Sequence, residues 1–340
     1  MLKLSVSNIN KLFEEVSKLG DLYAPIEKAT KVEFHKWDNN SNVRLDCLNT
    51  NKSAKDLFFP QSEDIVSFKM EGKNITIEAP DVETDEFVVF GVKACDVRSF
   101  DILDSVFLSD PVDSYYKAKR EKMIIVSMAC NEPEETCFCN VFGIDSSNPL
   151  GDVTTWIKDN ELYWKANTQK GEALTEKVLY LFEDTDEKAV NELKEEIKAI
   201  MDKLPLANLN LEGIDGNHLK DLFYSDKWNE LYKSCLGCGT CTFVCPTCQC
   251  YDIKDFNTGN GVIRYRCWDS CMYSEFTKMA HGNNRLTQKE RFRQRFMHKL
   301  VYYPSNNNGV YGCVGCGRCL SKCPVSMNIV KVAKALGVDK

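Results

Sequence analysis

The sequence predicts an α/β (α+β) N-terminal domain joined to a smaller, mainly helical domain organised by cysteine. Three observations carry that prediction. The 340 residues suffice for two domains, and 43% hydrophobic content is ordinary for a chain that buries a core. Two unbroken apolar runs flank an amphipathic helical stretch between residues 87 and 129, as strands buried on both faces of a parallel sheet do. The 17 cysteines are unevenly spread: five precede residue 140, none lies between 140 and 234, and twelve fall between 235 and 323. That asymmetry sets the expected boundary near residue 225, giving domains 1–225 and 226–340.

Each element follows from a local pattern. Val66 to Ala79, "VSFKMEGKNITIEA", alternates apolar and polar residues on both sides of Glu71-Gly72-Lys73, the pattern of a hairpin. Phe87 to Val92, "FVVFGV", reads as a strand buried on both faces. Asp96 is expected to cap the helix that follows, with Phe100, Leu103 and Phe107 on one side. Met123 to Ala129, "MIIVSMA", is a second buried strand, so the three elements predict a parallel βαβ unit. "TTWIKDNELYWKA" predicts another hairpin around Lys158-Asp159-Asn160. A helix from about Asp186 to Leu204 presents Val190, Leu193, Ile197 and Ile200 as one core face, and Pro205 closes it.

Composition excludes some functions. A net charge of −7 argues against a protein devoted to nucleic acid, which needs a basic surface to displace counterions. The first twenty residues intersperse charges with Leu, Val and Phe at helical spacing, unlike the apolar core of a signal peptide, and nowhere do eighteen apolar residues run together. A cytoplasmic chain with no membrane span is therefore expected. In that compartment thiols stay reduced, so this many cysteines point to metal or redox chemistry rather than to disulfides.

The cysteine runs give that chemistry a form. Cys235, Cys238, Cys241 and Cys245, followed by Pro246, and Cys313, Cys316, Cys319 and Cys323, followed by Pro324, both read C-x2-C-x2-C-x3-C-P. This is the bacterial ferredoxin arrangement for [4Fe–4S] clusters. Three thiolates two residues apart wrap a tight loop around three iron corners, and glycines at 237, 239, 315 and 317 let the backbone approach the inorganic core. The fourth cysteine of each run ligates the other cluster. The expected sets are Cys235, Cys238, Cys241 and Cys323 for cluster one, and Cys313, Cys316, Cys319 and Cys245 for cluster two. This exchange locks the two segments together, and a helix through "SMNIVKVAKAL" is expected after the second proline. A structural zinc site needs no third cysteine at x2 spacing, and a c-type haem needs a histidine that no pair here supplies.

The bridge between the runs holds Cys248, Cys250, Cys267 and Cys271, which read either as packing thiols or as ligands of another centre. It also holds "RLTQKERFRQRFMHK", with Arg285, Lys289, Arg291, Arg293, Arg295 and Lys299 against Glu290. Such a helix is either a solvated face, a dock for an acidic partner, or a source of cations that offset cluster charge and raise its potential. In the first domain, Cys95 and Cys130 fall just past the ends of the two buried strands, and Cys137 and Cys139 lie in the loop after Cys130. Ligands gather at the carboxyl ends of parallel strands, so these four either hold a third cluster or are buried small hydrophobes. Cys47 has no such company.

The segments "VFGVKACDVRSFDILDSVFL", "DSYYKAKREKMIIVSMACNEPEETCFC", "SCLGCGTCTFVCPTCQCYDI", "RCWDSCM" and "GCVGCGRCLSKCPVSMNIV" together resemble the iron–sulfur subunit of anaerobic sulfite reductase and the similar beta subunit of sulfhydrogenase-type nickel–iron hydrogenases. The resemblance covers roughly residues 87–140 and 231–335, with the eight run cysteines matching one for one; residues 30–80 and 145–225, Cys47 and Cys267 fall outside it. It implies a cytosolic electron-transfer protein with two ferredoxin-type clusters, working beside a flavin subunit that handles NAD(P)H. The chain shows no G-x-G-x-x-G after a strand and no P-loop, so no flavin or nicotinamide site of its own is expected.

The expected function is thus a non-catalytic subunit of an anaerobic oxidoreductase complex. It relays single electrons between a flavin/NAD(P)H-binding subunit and a catalytic or further iron–sulfur subunit, sulfite-reductase-like or hydrogenase-like. The alternatives are an enzyme with a substrate-binding cluster in the α/β domain, and a structural zinc protein that binds nucleic acid through the basic bridge.

Overall fold

The computed structural model describes residues 1–337. The apolar runs assemble an eight-stranded mixed sheet in the order Glu183–Asp184, Leu2–Ser5, Glu161–Ala166, Val153–Lys158, Met123–Met128, Phe87–Val92, Asp21–Lys28, Lys31–Lys36. From Val153–Lys158 to Asp21–Lys28 the neighbours are parallel, and the flanking partners are antiparallel. Phe87–Val92 and Met123–Met128 are buried throughout, as their lack of polar alternation requires. Helix Ala94–Phe107 crosses between them, and Phe100, Leu103 and Phe107 pack on Val89, Val92, Met123 and Ile125, so the βαβ unit forms.

Both predicted hairpins are present. Val153–Lys158 and Glu161–Ala166 turn through Asp159 and Asn160 at φ of +51° and +63°, a left-handed pair that Asp and Asn side chains tolerate. Ser62–Glu71 and Asn74–Glu78 turn through Gly72-Lys73. The second hairpin does not stand alone. It continues a four-stranded sheet with Tyr251–Asn257 and Gly261–Trp268, which come from the bridge between the cysteine runs. The mainly helical expectation for residues 226–340 must therefore take in a long hairpin, whose alternating β-branched and aromatic residues ("YDIKDFN", "GVIRYRCW") were a legible strand signal beside the cysteines. Arg266 anchors it: the guanidinium is buried and pairs with Glu63 and Asp113, while Trp268 Nε1 donates to Phe59 O at 3.1 Å.

Two details of the first domain differ from the sequence reading. The helix after the first buried strand begins at Ala94 with Lys93 as its cap, so Asp96 sits inside the first turn and does not cap; its carboxylate is turned to Arg318 instead. In helix Lys188–Met201 the core face is Val190, Leu193, Ile197 and Met201, whereas Ile200 is 41% exposed, because the stripe advances by i+4 at its last step rather than by i+3. Among the described residues no helix is long and apolar enough to cross a membrane.

Candidate metal centre

Each run folds the same way: a loop carrying the first cysteines leads through glycine into one short helical turn, Thr240–Phe243 after Gly239 and Arg318–Ser321 after Gly317. The second loop is pressed against the first domain. Gly315 and Gly317 adopt left-handed φ of +61° and +76°, and a Cβ on either would run into the backbone of Phe138 or Thr136. Phe138 N donates to Gly315 O at 2.8 Å, and Asn49 Nδ2 donates to Cys316 O at 2.7 Å. The "CFC" loop and the second run are therefore one wall. The predicted C-terminal helix forms at Ile329–Leu336, capped by Asn328, with Ile329, Val330, Val332 and Ala333 buried.

Cys245, from the first run, lies within electrostatic reach of Cys313, Cys316 and Cys319 of the second, as the crosswise assignment of cluster two asks. Cys235, Cys238 and Cys241 influence one another in the same way, and Cys238 is the one exposed thiol of the run. Cys323 donates to Met327 O at 3.4 Å, and among the described residues no hydrogen bond joins it to Cys235, Cys238 or Cys241. The Cys245 thiol is held well below its ordinary value, first by a hydrogen bond from Cys248 and then by the charges of Lys299 and Arg295. A thiolate is the form a metal takes.

The basic segment is not a solvated face. Helix Gln288–Met297 runs on into a π-helical turn, His298–Tyr302, which aims its buried cations inward. Arg295 donates to Cys241 O at 2.6 Å and to Cys248 Sγ at 3.4 Å. Lys299 Nζ donates to Thr247 Oγ1 at 2.6 Å and to Gly312 O at 2.9 Å. Arg291 donates to the carbonyls of Met272, Arg285 and Leu286, and Arg293 to that of Phe223, whose ring it also covers at 3.6 Å. Two cations of this segment, Arg295 and Lys299, are thus turned toward the cysteine runs, while Lys289, Arg291 and Arg293 are bonded elsewhere.

A third inward cation comes from the first domain. Lys55, in the short turn Ala54–Leu57, donates to Cys245 O at 3.2 Å and Cys248 O at 2.9 Å, with its ammonium 3.6 Å from the Trp268 ring centroid. Among the described residues, no carboxylate lies within ion-pair distance of Lys55, Arg295 or Lys299, although all three are buried. Burial lowers the pKa of each cation; for Arg295 and Lys299 the neighbouring cysteines more than reverse this, and for Lys55 the shift stays downward although Cys248 and Cys245 oppose it. His298 beside them is pushed down to about 4, by burial first and then by Lys299, Arg295 and Arg285. Isolated buried cations are strongly disfavoured unless an anion answers them. A four-thiolate [4Fe–4S] cluster is such an anion, so the donor set and its surroundings fit the group that the cysteine spacing implies.

The four cysteines of the first domain do converge. Cys95, Cys130, Cys137 and Cys139 line one small cavity, joined by Cys316 from the second run. Burial raises all four of these thiols, Cys137 to about 12. Beside them Arg318, between Cys316 and Cys319, is buried and pairs with both oxygens of Asp96 at 2.5 and 2.7 Å, while its remaining donors reach Thr50 O and Oγ1 at 2.9 Å. Among the described residues no three His, Cys, Asp or Glu side chains close on the single point that one zinc ion demands. A four-iron cube spreads its thiolates over a larger body.

The remaining thiols fall into two groups: Cys248, Cys250 and Cys271 stand together beside Cys245, whereas Cys267 and Cys47 lie apart from them. Cys248 contacts Cys245, and Cys250 is hydrogen-bonded with Cys271. Cys267 lies in the hairpin opposite Asp252 and Ser62, and Cys47 lines a cavity with Lys93 and Asn131. Lys55 and the Asp96–Arg318 pair escaped sequence reasoning. Lys55 in "SAKDLFFP" belongs to no local pattern, Asp96 matches only a helix cap, and Arg318 alone carried a signal, a basic residue inside the cysteine run.

Residues 234–327 match the 4Fe-4S dicluster domain. The sulfhydrogenase 2 subunit beta of Pyrococcus furiosus is 32% identical over 97% of this chain and 96% of its own length. No solved structure matches the chain.

Proposed function

This chain belongs to the family of sulfhydrogenase beta subunits, and on that premise we propose that it is the electron-transfer subunit of an oxidoreductase complex. It relays single electrons between a flavin/NAD(P)H-binding subunit and a catalytic or further iron–sulfur subunit, and has no reaction of its own. The observation that carries this is the set of buried cations turned on the two cysteine runs without a carboxylate to answer them. When bound, a four-thiolate cluster takes up and returns one electron at a time. The chain's part is to supply Cys235, Cys238, Cys241 and Cys323 to one cluster and Cys313, Cys316, Cys319 and Cys245 to the other. The exposure of Cys238 puts one edge of the first set at the surface, where a partner can reach it.

We further assign a third cluster to Cys95, Cys130, Cys137 and Cys139, because they share one cavity. Four protein ligands leave no iron open to substrate, which favours relay over the substrate-binding alternative. The assembly reading rests on the relative's designation as a subunit, and the flavin/NAD(P)H-binding donor and the iron–sulfur or catalytic acceptor rest on the resemblance to that family.

Protein purified without oxygen is expected to hold about twelve irons per chain, to become EPR-active with dithionite, and to oxidise NAD(P)H negligibly alone. About eight irons would remove the third cluster. Sustained NAD(P)H turnover by the single chain would remove the relay reading.

A further inference from the structure

The three inward cations are not shared evenly between the two cysteine sets. Lys55 reaches the carbonyls of Cys245 and Cys248, and Lys299 spans Thr247, two residues after Cys245, and Gly312, the residue before Cys313. Both therefore border the set Cys245, Cys313, Cys316 and Cys319. Arg295 stands between the sets, with one nitrogen on Cys241 O and another on Cys248 Sγ. Around Cys235 and Cys238 the corresponding contacts are uncharged: Gln288 donates to Cys235 O, and Tyr273 to Cys238 O at 3.2 Å.

A cluster gains one negative charge on reduction, so a fixed cation stabilises the reduced form more than the oxidised form, and burial in a low-dielectric interior strengthens the effect. We propose that Lys55 and Lys299 selectively raise the reduction potential of the cluster carried by Cys245, Cys313, Cys316 and Cys319, while Arg295 acts on both clusters. The inference rests on the two-cluster reading above and deepens it: the pair is made unequal by charge, and one of the responsible residues belongs to the first domain. Lys55 and Lys299 are positioning residues: Lys55 touches the carbonyls of Cys245 and Cys248, and Lys299 touches Thr247 and Gly312 beside the ligating cysteines.

Potentiometric titration followed by EPR tests this on the full chain reduced with dithionite. Lys299→Gln keeps an N–H donor for Thr247 and Gly312 but loses the charge; Lys55→Met keeps the length and lies against Phe59 and Trp268. Each is expected to shift the midpoint potential of the cluster carried by Cys245, Cys313, Cys316 and Cys319 to a more negative value and to leave that of the cluster carried by Cys235, Cys238 and Cys241 unchanged. Lys299→Arg, which retains the charge, should restore the wild-type value, and Arg295→Gln should lower both. Unchanged potentials, or equal shifts of both in the lysine variants, with iron and sulfide at wild-type levels, overturn the proposal. If Lys299→Gln loses iron, Lys55→Met decides alone by the same criterion. Wild-type protein without iron or EPR signal would sink the cluster reading itself, a different failure.

Discussion

Asp96→Ala is expected to destabilise the protein by about 3–5 kcal/mol, the cost of leaving one half of a buried ion pair uncompensated. Arg318 is 1% exposed and Asp96 is fully buried, so water cannot replace the lost carboxylate. Thr50 still accepts from Nε and one terminal nitrogen, but it brings no charge. Total stabilities of about 5–15 kcal/mol make this a large share. The damage is directed, because Arg318 sits between Cys316 and Cys319 and its pair with Asp96 ties the second run to the helix that carries Cys95. Lower urea resistance should therefore be accompanied by iron loss from the second run before the first. The double variant Asp96→Ala/Arg318→Met removes both charges and should be markedly more stable than Asp96→Ala alone, a coupling that a double-mutant cycle reads directly. Equal stability of the single and double variants would show that the pair contributes packing and not charge compensation.

That pair also marks the limit of what the sequence could reveal. The βαβ unit, both hairpins and the cysteine runs were legible because each is encoded by neighbours: two-fold alternation, unbroken apolar runs, and thiols at fixed spacing. The convergence of Cys95, Cys130, Cys137 and Cys139 was half legible, since strand ends in a parallel sheet predict a common edge, but the presence of Cys316 at the same cavity depends on the second run docking there. Asp96 was misread for a related reason. Its position after a strand matches a capping residue locally, and nothing nearby announces a guanidinium from residue 318. Lys55 is the extreme case, a lysine whose partners are 190 and 193 residues away in the chain. The bridge hairpin lies in "YDIKDFN" and "GVIRYRCW", where charged residues and a cysteine interrupt the apolar positions, so the strand signal is weaker than that of the cysteine spacing around it.

Cys316→Ala and Cys137→Ala are expected to remove the same amount of iron from different places. Cys316 is assigned to cluster two and also lines the first-domain cavity, whereas Cys137 belongs to that cavity alone. Alanine is close in size to a buried cysteine, so the fold should survive either change. Each variant should fall from about twelve irons per chain to about eight. Their magnetic behaviour should separate them: two reduced clusters held close together broaden and split each other's EPR signals, and the interaction within the ferredoxin-type pair needs both runs complete. Cys137→Ala should keep it, because both runs remain complete. Cys316→Ala should abolish it, because one member of the pair is gone and the neighbouring thiols Cys95, Cys137 and Cys139 are committed to their own cavity. Wild-type iron content in Cys137→Ala would return the four first-domain cysteines to the role of packing residues. Retention of the paired signal in Cys316→Ala would move that cysteine out of cluster two and into the wall between the domains.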